Sequence, residues 1–175
     1  ARIENWGLSV KLHDFAISDL LDDLEQRYPG VRVDRHLLDQ VSIPIEVHTD
    51  PTTLTYVLTS LIDNALTHGA NQVTLRARPD RPFDPIWEVG QTPAQAAFLL
   101  VEDNGPGIDP DFLPHAFEKF EKHSRSSGTG LGLFMARTMI EALGGSLAVD
   151  TSQRGTTMAV AVPISMSRIP VGVSR

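Results

Sequence analysis

Apolar and polar positions along the chain alternate between two periods, and each switch marks an element. Leu8 to Leu12 alternates and predicts a short strand. Ile17, Leu20, Leu21 and Leu24 then recur at helical spacing, with Ser18-Asp19 as the opening and Pro29-Gly30 as the stop. Val31 and Val33 begin a strand, and Pro44 to Val47 gives another. Asp50-Pro51 is a helix start, a capping side chain followed by proline in the first turn. Leu54, Val57, Leu58, Leu61, Ile62 and Ala65 form one apolar face that ends at Gly69. Val73, Leu75 and Ala77 alternate as a strand, and Phe98 to Val101 is the near-continuous apolar run of a buried central strand. Leu133, Ala136, Ile140 and Leu143 predict another amphipathic helix, stopped by Gly144-Gly145. Leu147 to Val149 and Met158 to Val162 predict a closing strand pair.

Two stretches carry no period. Pro79 to Gln95 holds four prolines and a lone Trp87, and reads as a long connection between strands. The tail over 164–175 is expected to be disordered. Strands mixed with three or four helices, and no internal repeat, predict one domain over 1–163. Its expected class is an α/β sandwich: one mixed sheet with helices on one face.

Composition narrows the chemistry. A chain of 175 residues can bury one proper core. There are no cysteines, so disulfides, thiolate metal sites and cysteine nucleophiles are excluded. The net charge of -7 argues against a nucleic-acid partner, though a single nucleotide needs only a local positive pocket. No apolar run approaches the roughly 18 residues of a membrane span, so no membrane contact is expected of this domain. The composition fits a cytosolic setting. The opening ARIENWGL lacks methionine and reads as part of something longer.

Candidate chemistry lies in two glycine runs, DNGPGID at Asp103 to Asp109 and SGTGLGL at Ser127 to Leu133. Asp103 ends an apolar strand, where its carboxylate can accept a hydrogen bond from the exocyclic amine of adenine; guanine presents an oxygen there. Gly105 and Gly107 allow a tight turn and close approach of backbone to a ring. The same residues are also good loop chemistry. The run Gly128, Thr129, Gly130, Leu131, Gly132 leads into a helix, where free amides and the helix dipole suit phosphate. Between the runs, Phe112, Leu113, Phe117 and Phe120 are apolar anchors, and Lys119, Lys122 and Arg125 bring local positive charge. This stretch reads as a mobile lid over phosphates. Upstream, Ser60, Asn64 and His68 share one helical stripe beside the apolar face. An asparagine amide oxygen there is either solvated surface or a hard ligand of the kind Mg2+ accepts.

The order of these motifs resembles the ATP-binding catalytic domain of bacterial sensor histidine kinases, in the GHKL superfamily, whose Bergerat-type fold implies a mixed, mainly antiparallel sheet with about three helices on one face. LTSLIDNALTHG is similar to the N box, EDNGPGI to the first glycine box, FEKF to the F box and SGTGLGL to the second glycine box. EALGGSLAVDTSQRGTTMAVAVP resembles the closing helix and hairpin, so the likeness spans about Leu8 to Pro163. It implies ATP and Mg2+ as cofactors, with Asn64 holding the metal against the phosphates and Asp103 binding the adenine amine. Thr156 would support the adenine. Gly128, Thr129, Gly130, Leu131 and Gly132 would hold phosphates, with His68, Phe120 and one of Lys119, Lys122 or Arg125 contributing to the same nucleotide site. The implied partners are the protein's own dimerisation and phosphoacceptor domain and a response regulator. The implied place is a cytoplasmic domain, whether or not its parent is anchored in the bacterial inner membrane.

Departures from the pattern shape the functional expectation. Gyrase-type ATPases carry a glutamate base four residues before the N-box asparagine; Ser60 stands there, which favours phosphoryl transfer over hydrolysis. Thr67 stands where many members have lysine, and Glu121 replaces a common aromatic. His13-Asp14 is the only dipeptide resembling a phosphoacceptor, but no helical pattern surrounds it and no proline follows. The acceptor hairpin is therefore expected ahead of Ala1, and no residue of this chain is expected to act as nucleophile. The expectation is γ-phosphate donation from Mg-ATP to a histidine elsewhere. The alternatives are a nucleotide-sensing or scaffolding module without transfer, and an anti-sigma factor serine kinase of the same fold.

Overall fold

The computed structural model describes residues 4–5, 8–40, 44–119 and 130–165. In chain order the elements are β1 (Glu4–Asn5), β2 (Leu8–Ser9), β3 (His13–Ala16), α1 (Ile17–Arg27), β4 (Arg32–Asp34), α2 (His36–Asp39) and β5 (Glu46–Thr49). Then come α3 (Pro51–Thr67), β6 (Val73–Arg78), β7 (Trp87–Gly90), β8 (Ala96–Asp103), α4 (Leu113–Ala116), α5 (Gly132–Ala142), β9 (Ser146–Ser152) and β10 (Gly155–Pro163). Six strands form the main sheet in the order β4-β6-β8-β10-β9-β7. Only β4 against β6 is parallel; the other pairs are antiparallel. The sheet is thus mixed, as the patterning predicts, and mainly antiparallel, as the family resemblance implies. Two short antiparallel pairs, β1 with β2 and β3 with β5, lie outside it, and an antiparallel bridge from Val47 to Ile164 joins the second pair to the end of β10.

Helix α3 shows how the local sequence builds this. Asp50 accepts hydrogen bonds from the amides of Thr52 (3.0 Å) and Thr53 (3.1 Å) with Oδ1, while Oδ2 takes the Lys11 amide at 2.7 Å. One carboxylate therefore caps the helix and ties down the segment before β3. Leu54, Val57, Leu58, Leu61 and Ile62 are all fully buried beneath α3, each contributing about 1.5–3 kcal/mol of transfer free energy. With α1 and α5 they cover one face of the sheet, against Leu75, Leu99, Val101, Leu147 and Val160.

The opposite face explains why the β8 run is apolar without alternation. Ala96, Phe98 and Leu100 point away from the helices and form a second cluster with Ala148, Ala159 and Ala161. Phe83, from the proline-rich stretch, packs on that cluster. A strand covered on both faces loses the period-2 signal.

Several expectations change. Pro79 to Gln95 is not a bare connection: it carries β7, which pairs with β9 through Trp87 opposite Val149 and Val89 opposite Leu147. Its prolines sit outside the strand, as a missing ladder donor requires. The first strand predicted at Leu8 to Leu12 is instead split, with β2 ending at Ser9 and β3 starting at His13. Helix α1 opens at Ile17, with Ala16 at the cap position and no side-chain capping bond, so Ser18-Asp19 lies inside it. Past Pro163 the chain stays paired for two residues: the Ile164 amide donates to Gln95 and the Ser165 amide to Glu46. Residues 166–175, and the part of the expected lid from residue 120 on, lie outside the described residues; its first part is described, with Leu113 and Phe117 in the main core.

Candidate functional site

The C-terminal turn of α3, the end of β8, the loop into α4, the start of α5 and the beginning of β10 surround a cavity of about 510 Å3. That volume suits a small-molecule ligand. Asn64, His68, Asp103, Gly105, Gly107 and Thr156, distant in sequence, all line it.

Asp103 is the last residue of β8, and its position is fixed three ways. Its backbone pairs opposite Val73. Its Oδ1 accepts the amides of Gly105 at 2.7 Å and Thr156 at 3.3 Å. Both bonds fall on one oxygen, which leaves Oδ2 for a ligand. Next to it, Asn104 faces the other way. Its Oδ1 accepts the amides of Asn71 (3.1 Å) and Gln72 (2.9 Å), and its Nδ2 donates to Asn71 Oδ1 at 2.7 Å. Asn104 thus staples the loop after α3 to the glycine turn.

The glycines answer to the hairpin as well as to any ligand. Gly107 has φ +79°, and a Cβ there would collide with the Ser152 carbonyl. Gly155 has φ +139°, and its Cβ would collide with the Asp103 carbonyl. The DNGPG turn therefore lies directly on the β9–β10 hairpin, where side chains have no room. Thr151, not among the expected site residues, completes the junction: its Oγ1 accepts the Ile108 amide at 2.9 Å and lies 2.9 Å from Thr156 Oγ1. Only the pairing of β9 with β10, Thr151 opposite Thr156, brings it there.

The far wall is apolar. Ile108, Phe112, Ala116 and Leu133 contribute to it. The loop enters α4 through the amides of Phe112 and Leu113, which donate to the Asp109 carbonyl at 3.0 and 2.9 Å. Leu113 and Phe117 are buried in the main core, so α4 is held from behind.

The second glycine run is only partly in view. Gly130, with φ +71°, and Leu131 precede α5, which starts at Gly132. None of the three lines the cavity; Leu133, one residue on, does. Lys119 is exposed and outside the lining. Phe120, Lys122, Arg125, Gly128 and Thr129 lie outside the described residues. His13 begins β3 opposite Thr49, exposed and on no helix.

The charge of the lining is informative. It carries the carboxylates of Asp103 and Asp109 and the imidazole of His68, with no Lys or Arg among the described residues lining it. Nor do the described residues place three or more His, Asp or Glu together to hold a metal alone. A cation here would take few oxygen ligands from the protein and the rest from the ligand and water, which is the coordination Mg2+ favours.

Comparisons with known proteins agree with this geometry. The family described as histidine kinase-, DNA gyrase B-, and HSP90-like ATPase matches residues 49–166. The signal transduction histidine-protein kinase AfsQ2 of Streptomyces coelicolor is 37% identical over 130 residues, covering 69% of this chain and 22% of that protein. Sensor histidine kinase TrcS of Mycobacterium tuberculosis is 28% identical over 178 residues, covering 93% of this chain and 32% of TrcS. The chain thus spans a third or less of these relatives' length. Among solved structures, full-length ShkA in complex with AMPPNP superposes with a TM-score of 0.68 at 22% identity, over 94% of this chain and 33% of that one. The ATP binding domain of PrrB from Mycobacterium tuberculosis gives 0.59 at 24% identity, over 88% and 98%. These likenesses show a shared fold. With the family match covering more than half of the residues, and the cavity built from the same segment, the chain belongs to the histidine kinase-, DNA gyrase B-, and HSP90-like ATPase family.

Proposed function

We propose that this domain binds Mg-ATP and donates its γ-phosphate to a histidine on a separate dimerisation domain of a sensor kinase in two-component signalling. The observation that carries the reading is Asp103. It sits at the cavity wall with one oxygen held by the Gly105 and Thr156 amides and the other left for the adenine amine. Thr156 stands beside it to support the base. Asn64, on the adjacent helix, would hold Mg2+ against the phosphates. The metal would neutralise phosphate charge that the lining, with Asp103 and Asp109 and no Lys or Arg among its described residues, does not offset. His68 lies on the same wall. Gly128, Thr129, Gly130, Leu131 and Gly132 would meet the phosphates from the entrance to α5, with Phe120 and one of Lys119, Lys122 or Arg125 closing over them.

Ser60, one turn before Asn64, has no carboxylate to activate water, which supports transfer over hydrolysis. The chain's own work is to bind, orient and shield. The response regulator and a cytoplasmic location belong to the same reading.

The test joins an acceptor helix hairpin ahead of Ala1 and supplies ATP labelled at the γ-phosphate. Acid-labile, alkali-stable label on the acceptor histidine is the expected result. Nucleotide binding without label in any acceptor would overturn it in favour of a nucleotide-sensing or scaffolding module. Label on serine of a supplied protein would point to a serine kinase. Asn64→Ala should leave ATP binding without its Mg2+ dependence; an unchanged Mg2+ effect would remove Asn64 from the metal.

A further inference from the structure

The stretch over 79–95 places one aromatic ring where the family motifs do not account for it. Trp87, the first residue of β7, stacks on Phe117 with ring centroids 4.3 Å apart and planes 13° from parallel. Phe117 is fully buried and immediately follows α4. Ala116 and Phe112, on the α4 side of it, line the cavity, joined by the Ala116 amide donating to the Phe112 carbonyl at 3.0 Å. Trp87 itself does not line the cavity.

The strand that presents Trp87 is fastened along its length. The Ile86 amide donates to Val149 at 3.0 Å and the Gln91 amide to Gly145 at 3.3 Å. On the face away from Trp87, Glu88 accepts from Arg81 at 2.8 Å and from the Thr92 hydroxyl at 2.8 Å. Thr92 in turn lies 2.7 Å from Ser146 Oγ on β9. An edge strand so anchored can hold a ring in one place, whereas a loose loop could not.

We propose that Trp87 is a positioning residue for the nucleotide pocket. From β7 it backs Phe117, and through Phe117 it sets the Phe112–Ala116 wall against which the nucleotide packs. The inference rests on reading the cavity as a nucleotide site. It gives the proline-rich stretch a role in binding, additional to covering the outer face of the sheet with Phe83.

The two tryptophans of the chain, Trp6 and Trp87, make the test direct. In a Trp6→Phe background, Trp87 is the sole indole. Saturating Mg-ATP should shift or quench its emission, because the ring it stacks on adjoins the wall against which the nucleotide packs. Trp87→Ala should raise the ATP dissociation constant about threefold to tenfold, the range an aromatic pair supports. Trp87→Phe, which restores stacking, should stay within about twofold of wild type by the same measure. Should Trp87→Ala melt below the assay temperature, Trp87→Leu keeps apolar bulk without stacking and carries the comparison. Unmoved emission together with unchanged affinity in the stacking-deficient variant would overturn the proposal. So would equal weakening by Phe and Ala, which would mark a loss of indole volume rather than of the stack. If wild type itself binds no ATP, the nucleotide reading of the cavity fails instead.

Discussion

Replacing Asp103 by Asn tests base recognition with little damage to the fold. The amides of Gly105 and Thr156 both donate to Oδ1, so in the variant they must face the amide oxygen. That fixes the side-chain orientation and turns its NH2 toward the ligand. Within the protein, two bonds to a carboxylate become two bonds to a neutral oxygen, a loss of about 1 kcal/mol each at most. Toward adenine, an acceptor becomes a donor facing a donor. The lost charge-assisted bond is worth about 1.5–3 kcal/mol. At about 1.4 kcal/mol per decade, ATP affinity should fall by roughly tenfold to 150-fold. Guanine presents an oxygen at that position, so GTP should bind the variant at least as well as wild type. Calorimetric titration of ATP and GTP into both proteins, beside thermal melts, measures this. Equal weakening of ATP and GTP would mean a damaged pocket rather than a base contact. Unchanged ATP affinity would remove Asp103 from recognition altogether.

Other outcomes follow from single contacts. Asp50→Ala removes the α3 cap and strands the Lys11 amide, so urea unfolding should show a loss of about 1–3 kcal/mol; a loss below about 0.5 kcal/mol would contradict the shared role. Burial, and then the hydrogen bond from its hydroxyl to Asp63 Oδ1 (2.9 Å), push Tyr28 up to about 12. The folded value lies above the unfolded one, so this stabilisation is complete below about pH 10 and is lost as pH rises toward 12. Tyr28→Phe should flatten that alkaline limb in a pH series of melts, and an unchanged limb would place the loss elsewhere. Partial burial pushes the Glu88 carboxyl up, but the Arg81 guanidinium and the Thr92 hydroxyl outweigh it, leaving the group below its usual range. Its contribution is therefore complete above about pH 4.5 and lost as pH falls through the lower folded value. Glu88→Gln should reduce the acid sensitivity of β7, read by Trp87 emission in the Trp6→Phe background; an identical acid profile would refute the coupling.

Much of the architecture is legible in local patterning. The α3 face, the Asp50 cap and the closing hairpin each follow from residues within a few positions of one another, because capping and amphipathic burial are short-range requirements. The glycine motifs were legible for a similar reason: their order along the chain is distinctive. Strand β7 was not legible, since its four residues sit among prolines and take their pairing from β9, about 60 residues later in the chain. Nor was the second layer of the site. Thr151 is an ordinary strand threonine until β9 pairs with β10 and delivers it to the Ile108 amide.

Sequence alone therefore determined most of the longer elements, their likeness to a nucleotide-binding family, and the expectation that Asp103, Asn64 and Thr156 serve one site. Tertiary structure decided that these residues share one cavity, and why Gly107 and Gly155 must be glycine. It also decided that an unpatterned stretch supplies both a cover for the sheet, through Phe83, and a ring behind the pocket wall, through Trp87. The division has a physical cause. Propensity, capping and periodicity act between neighbours in the chain, whereas a stacked ring pair and a backbone collision exist only once remote strands have come into register.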